Sequence, residues 1–235
     1  MRGPGGRLAA TGRMKPWKIL LLAALGVVMS GFFLALIRPP GVQPSPPGQD
    51  LPWQIERSAD GATISVFGLT LGASTVRDAV TQLGRRYALA VFEDPAGTLS
   101  LEAYFRDAVV GGLNARLVLS ARLPEPVLAA FKAHAGRGRP TTAGGRHYPV
   151  VAADQQLALD AVVTAITYMP VVRFDADLVR GRFGEPAERV AVRDGVHWLY
   201  PALGLDLLLG DSGEALLQYV PPPEFDSRLR KPLRN

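Results

Sequence analysis

The chain has 235 residues, 48% hydrophobic and 20% charged, with 25 glycines, 20 prolines and no cysteine. Those fractions support one or two domains with a core and exclude wholesale disorder and a collagen-like fibre. The formal net charge of +5 is located entirely in Arg2, Arg7, Arg13, Lys15 and Lys18, which leaves 21 basic against 21 acidic residues elsewhere and argues against nucleic-acid binding by phosphate neutralisation.

The missing cysteine removes disulfide scaffolds, thiolate zinc sites, thiol nucleophiles and a lipid-modified N-terminal cysteine. Residues 1–18 form a basic tail. Residues 19–37, from Ile19 to Ile37, are an uncharged apolar run between Lys18 and Arg38. As a helix the run would span roughly 28 Å, close to the roughly 30 Å of a hydrocarbon core. A cleaved secretory signal shares the basic start, but its apolar region is typically about 7–15 residues long and ends at small residues. Here the run is longer and ends Ala35-Leu36-Ile37-Arg38-Pro39-Pro40, so an uncleaved single transmembrane helix is expected. The positive flank is expected to hold the N-terminus in the cytoplasm and the remainder across the membrane. For a bacterial source, which the Ala/Gly/Arg/Pro-rich composition suggests, that is the inner membrane and the periplasm.

Residues 38–52 form a proline-rich linker with prolines at 39, 40, 44, 46, 47 and 52. Proline fixes φ and removes donors, so an extended spacer reaching up to roughly 40 Å is expected.

Beyond it the chain reads as two half-domains, 53–123 and 124–223. In the first, Thr75 and Asp78 have capping-box spacing, and Val76, Ala79, Val80 and Leu83 make one apolar helix face that Gly84 ends. Strand-like runs follow at 87–92, 99–105 and 115–121, with Asp94-Pro95-Ala96-Gly97 as a turn and Gly111-Gly112 before the third. Two further helices are expected at 125–135, with Pro126 near its start and Gly136 as its stop, and at 154–169, halted by Pro170. In the second half Asp175 caps a short helix that ends at Gly184 and Pro186. Runs at 189–192, 196–200, 205–209 and 215–220 then read as a meander, with Asp194-Gly195 and Gly210–Gly213 as turns. Helix-plus-antiparallel-meander, twice over, is an α+β pattern. Periodicity leaves open whether the halves share one sheet.

A short helix ending Phe183-Gly184-Glu185-Pro186, a hairpin carrying Trp198 and Tyr200, then Gly204-Leu205 and a turn before a last strand resembles the SmpA/OmlA (BamE-like) family. The resemblance covers 154–220 best and 68–121 more faintly. It implies small α+β envelope domains with two helices on a three-stranded antiparallel sheet, and a habit of binding other envelope proteins. It implies no catalytic residue.

Gly210-Asp211-Ser212-Gly213 matches the local sequence around a trypsin-like serine nucleophile, which would need a histidine base and a carboxylate in reach. Asp, Ser and Gly between apolar strands are also what a tight turn demands. His134, His147 and His197 are scattered without metal-ligand spacing, so no metal or cofactor is expected, and His197 reads as a solvated or hydrogen-bonded surface residue. Arg137, Arg139, Arg146 and His147 lie in a glycine-rich loop, 136–147, that reads as an exposed flexible linker or as a contact for an anionic group. Tyr219, Phe225, Trp198 and Tyr200 are candidate partner contacts, since aromatic residues are enriched at interfaces. Residues 224–235 read as a disordered basic tail.

Three functions follow in order. The first is a membrane-anchored periplasmic, non-catalytic assembly factor that contacts an envelope protein. The second is a ligand-binding or sensing domain for lipid or cell-wall material. The third is a hydrolase using Ser212. A cleft lined by 136–147 would favour the second, and an aromatic sheet edge the first.

Overall fold

The computed structural model describes residues 54–141 and 144–234 and is mixed α+β, built on antiparallel sheets. The expected basic tail, transmembrane segment and proline-rich linker lie outside the described residues. Among the described residues no helix is long and apolar enough to cross a membrane.

A small sheet comes first, formed by β1 (Glu56–Arg57), β2 (Ile64–Val66) and β3 (Leu69–Thr70). Its tight turn holds Phe67 at φ +57° and Gly68 at φ +74°, the left-handed pair that suits a two-residue hairpin. That unusual Phe67 backbone is held by packing, because its ring lies 4.9 Å from the Tyr168 ring and 5.6 Å from that of Tyr219. Helix α1 (Val76–Leu83) has the anticipated capping box. Asp78 accepts from the Thr75 amide at 2.8 Å, and Thr75 Oγ1 accepts from that of Asp78 at 3.2 Å.

The remaining strands form one ten-stranded antiparallel sheet. In chain order they are β4 (Tyr87–Glu93), β5 (Leu99–Val110), β6 (Leu113–Arg122), β7 (Arg139–Pro140), β8 (Arg146–Pro149), β9 (Val162–Pro170), β10 (Glu188–Val192), β11 (Gly195–Tyr200), β12 (Leu205–Gly210) and β13 (Ala215–Tyr219). Across the sheet the order is β10-β11-β12-β13-β9-β6-β5-β4-β8-β7. Helices α2 (Glu125–Ala135), α3 (Gln155–Leu159) and α4 (Ala176–Phe183) are inserted between strands. Asp175 caps α4, accepting from the Leu178 amide at 2.7 Å.

Strand register gives the sheet two different faces. Leu117, Tyr168, Leu217 and Leu207 are successive cross-strand partners, all fully buried on one face. This face packs in the main core with α1, α2, α4 and the small sheet. The opposite face carries a second cluster of Leu199, Val220, Phe225 and Leu229, and a third of Val118, Met169 and Leu216.

Four expectations are corrected. The helix expected at 154–169 is five residues of α3 followed by the central strand β9. Val162, Val163, Thr164, Ile166 and Thr167 are β-branched, and their stiff χ1 suits a pleated strand. β9 also fills the slot between β6 and β13, which joins the two half-domains into one continuous sheet. The two helices that the resemblance implied for 154–220 are therefore separated by a strand.

The tail 224–235 is not disordered over 224–234. A 3₁₀ turn (Pro222–Glu224), a π-helical turn (Asp226–Arg230) and α5 (Lys231–Arg234) lie as a strap on the second face. Phe225 and Leu229 are buried against Leu199. Burying two such side chains contributes about 2 kcal/mol each, which offsets the entropy of ordering a chain end. Arg228 donates to the Thr164 carbonyl at 3.0 Å, and Arg234 reaches Glu188 at 2.9 Å.

The glycine-rich loop is the edge hairpin β7–β8 rather than a flexible linker, with residues 142 and 143 outside the description. The fourth correction concerns His197, which is buried rather than at the surface.

Candidate functional site

The edge hairpin and α2 together shape a shallow cleft of about 500 Å³. Its floor is apolar, formed by Leu99 of β5 and Ala129 and Ala133 of α2. Its wall is cationic, formed by Lys132, Arg137 and Arg146, with Tyr148 beside them. Helix α2 ends at Gly136, so the chain turns directly into Arg137 and Gly138. Arg146 and Tyr148 are two apart on β8 and so share one face of the hairpin.

Close backbone approach makes this geometry possible. A β-carbon on Gly138 would sit 2.5 Å from the Tyr148 ring, and one on Gly145 would sit 2.5 Å from the Glu93 carbonyl oxygen. Glycine at both positions lets the hairpin lie flat on β4.

Glu93 organises the charged groups. It is ion-paired with Lys132 and accepts from the Tyr148 hydroxyl at 2.7 Å. The Lys132 hydrogen bond, followed by that of Tyr148, holds the Glu93 carboxyl below its ordinary range, and the same hydrogen bond raises Lys132. Lys132 Nζ also lies 5.3 Å from the Tyr148 ring centroid. Arg146 donates to the Gly138 carbonyl at 2.7 Å, which fixes its guanidinium at the mouth. Among the described residues neither Arg137 nor Arg146 has a carboxylate partner. Arg146 is nevertheless near enough to Glu93 to help hold its carboxyl down, so the cleft sets three cations, Lys132, Arg137 and Arg146, against one carboxylate above an apolar floor.

Of the four basic residues singled out from the sequence, the structure brings Arg137 and Arg146 together at the cleft. Arg139 and His147 are cross-strand partners on the other face of the hairpin. There His147 is held below its ordinary pKa, first by burial and then by Arg139. Sequence reasoning missed Lys132, Glu93 and Tyr148. Tyr148 could have been found from its alternation with Arg146; the Glu93–Lys132 pair, 39 residues apart, left no local signal.

The four aromatic candidates are side chains of the interior. Tyr219 is 0% and Phe225 1% exposed, and Trp198 and Tyr200 are each 5% exposed. Trp198 lies beneath Arg189, whose guanidinium carbon is 4.3 Å from the ring centroid, and Tyr200 donates to the Gly184 carbonyl at 3.0 Å. Burial and the neighbouring Glu185 push the Tyr200 hydroxyl up to about 12. None of the four is presented at the surface.

Ser212 sits exposed in the turn between β12 and β13, closed by the Gly213 amide on the Gly210 carbonyl at 2.9 Å. No hydrogen bond joins it to a histidine among the described residues. His134 Nδ1 lies 2.9 Å from Asp154, and His197 Nδ1 lies 2.9 Å from Asp206. Burial raises Asp206, and its hydrogen bond to His197 partly opposes the rise. No group of three potential metal ligands occurs among the described residues.

Comparison with known proteins finds no family model, no curated protein and no solved structure that matches the chain.

Proposed function

We propose that the protein is a membrane-tethered, non-catalytic binding module of the bacterial envelope, and that its cationic cleft takes an anionic group of lipid or cell-wall material. The observation that carries this reading is the pairing of Arg137 and Arg146 over the floor of Leu99, Ala129 and Ala133. An apolar surface with convergent cations suits an amphiphile with a phosphate or carboxylate head. The tether in this reading is segment 19–37, with residues 1–18 cytoplasmic and the folded part periplasmic. The likeness to SmpA/OmlA domains supports an envelope setting only through the short motif around Phe183–Pro186. The protein-contact reading is placed second, because the aromatic side chains it relied on are interior ones.

The test is a titration of the full-length, detergent-solubilised chain with phosphatidylglycerol and, separately, with a muropeptide. Saturable binding of one of them should weaken by about tenfold or more in the Arg137→Ala/Arg146→Ala pair. Binding that the double substitution leaves unchanged, or no binding of either probe, overturns the proposal.

A further inference from the structure

The described part exposes six large apolar side chains: Val109 (59%), Val171 (50%), Leu157 (49%), Leu178 (38%), Val192 (37%) and Val172 (36%). Single exposed apolar residues need no explanation. Their placement does, because five of the six gather at one end of the sheet.

Strand register establishes that end. Ala115 is opposite both Pro170 and Ala108, so the β5–β6 tip with Val109 lies level with Val171 and Val172 beyond β9. Leu209 pairs with both Ala215 and Val196, and Val192 pairs with Gly195, so the β10–β11 and β12–β13 turns lie at the same level. The Phe174 amide donates to the Gly213 carbonyl at 2.8 Å, which brings the first turn of α4, with Leu178, to this end. Leu157, on α3 ahead of β9, is the exception.

Arginines alternate with these valines. Arg173 and Arg193 are on the same turns, Arg106 is at the β5 bulge, and Arg85 and Arg86 enter β4 opposite that bulge. Acidic groups are present in similar number: Asp107, which is 3.8 Å from Arg86, Asp175 and Asp177 at the start of α4, and Asp194, Asp211 and Glu214.

The route of the chain gives the rim a direction. Ile64 lies near Gly204 at the far end of the sheet, while Phe67 packs on Tyr168 toward the rim. β1 is antiparallel to β2, with Arg57 opposite Ile64 and Glu56 opposite Ser65. Followed backwards from Arg57, the chain therefore leaves the fold toward the rim. The described chain, which begins at residue 54, thus enters the fold from the end that shows valine and arginine.

We infer that this rim, with Val109, Val171 and Val192 at its tips, rests on the lipid surface from which the chain is tethered. The inference rests on the tethered reading above. Valines entering the headgroup boundary, with arginines on lipid phosphates, are how a peripheral surface seats itself. The spacer 38–52 sets an upper limit on the height of the fold, not a lower one.

The chain has no native cysteine, so single cysteines can report on the rim. The full-length protein would carry cysteine at Val109, Val171 or Val192, or at exposed Ala202 at the far end as a control. Each would be labelled with an environment-sensitive fluorophore and reconstituted into phosphatidylethanolamine–phosphatidylglycerol vesicles. Rim probes should gain at least about twofold in emission and be quenched by lipid spin-labelled near the headgroup, while the control is not. Arg106→Glu with Arg193→Glu should abolish the quenching without altering the circular dichroism. Carbonate-resistant protein whose rim probes are as water-exposed as the control overturns this inference and leaves the tether standing. Carbonate-extractable protein whose rim probes are quenched retains the surface and removes the tether, and extraction without quenching overturns both.

Discussion

Glu102 offers a direct test of how the sheet balances charge against burial. It lies on β5, opposite Ser120 of β6 and Ala90 of β4, and among the described residues it has no hydrogen-bond or ion-pair partner. Burial alone raises its carboxyl from the ordinary 4.5 to about 7. A folded-state pKa above the unfolded one means that Glu102 favours the fold below about pH 4.5. That contribution is lost as pH rises through about 7. The full shift corresponds to about 3 kcal/mol at pH 8, but the side chain is partly exposed and water reduces this to about 1–2 kcal/mol. Glu102→Gln keeps the shape and cannot ionise. It should be neutral near pH 4.5 and stabilise the protein by about 1–2 kcal/mol at pH 8. Urea unfolding of residues 53–235 across that range is the assay, with the midpoint compared at constant slope. A variant equally stabilised at both pH values would show that the gain does not come from ionisation, and one destabilised at pH 8 would show that Glu102 has a charged partner; either result refutes the reasoning.

Tyr168 and Tyr219 have buried hydroxyls without a partner among the described residues, and burial raises both. Tyr219→Phe should therefore be neutral or stabilise by up to about 1 kcal/mol in thermal unfolding. Phe225→Ala should cost about 3 kcal/mol in urea unfolding, because it empties the plug of the C-terminal strap; a loss below about 0.5 kcal/mol would mark the strap as dispensable. His197→Ala leaves Asp206, 2% exposed, buried without its partner. It should cost about 3–5 kcal/mol, more at pH 8 than at pH 5, because a buried, unpaired carboxyl is disfavoured when charged. Gly138→Ala forces a methyl into the Tyr148 ring and should weaken anion binding more than it lowers stability, as read by titration beside calorimetry.

Short-range structure was legible where one residue type had one job. Thr75, Asp78 and Gly84 delimit α1, Asp175 and Gly184 delimit α4, and Asp194-Gly195 closes its hairpin, because capping and tight turns are settled within a few residues. The segment 159–166 failed because Leu159, Val162, Val163 and Ile166 satisfy a helical period, while the β-branched content satisfies a strand. The vacancy between β6 and β13 decided between them, and that vacancy is created by residues 40 or more positions away. The strap was misread for a related reason. Arginines at 228, 230 and 234 look like a solvated end until Glu188, Glu224 and Asp226 are placed beside them.

The site divides along the same line. Arg137 and Arg146 were visible as charges in a glycine-rich stretch, but whether those charges are free depends on partners the stretch does not contain. Glu93 is bonded to Lys132 and Tyr148 and also interacts with Arg146, so the cleft remains cationic because one carboxylate faces three cations. Aromatic residues misled for the opposite reason. Trp198, Tyr200 and Tyr219 sit at alternating positions of strands whose core face is set by the register of β9, and only that register shows that their rings point inward. The helices and the small sheet packed on that face thus bury the rings that suggested a protein partner. The edge hairpin, with Lys132 of α2, is left as a place where cations outnumber carboxylates.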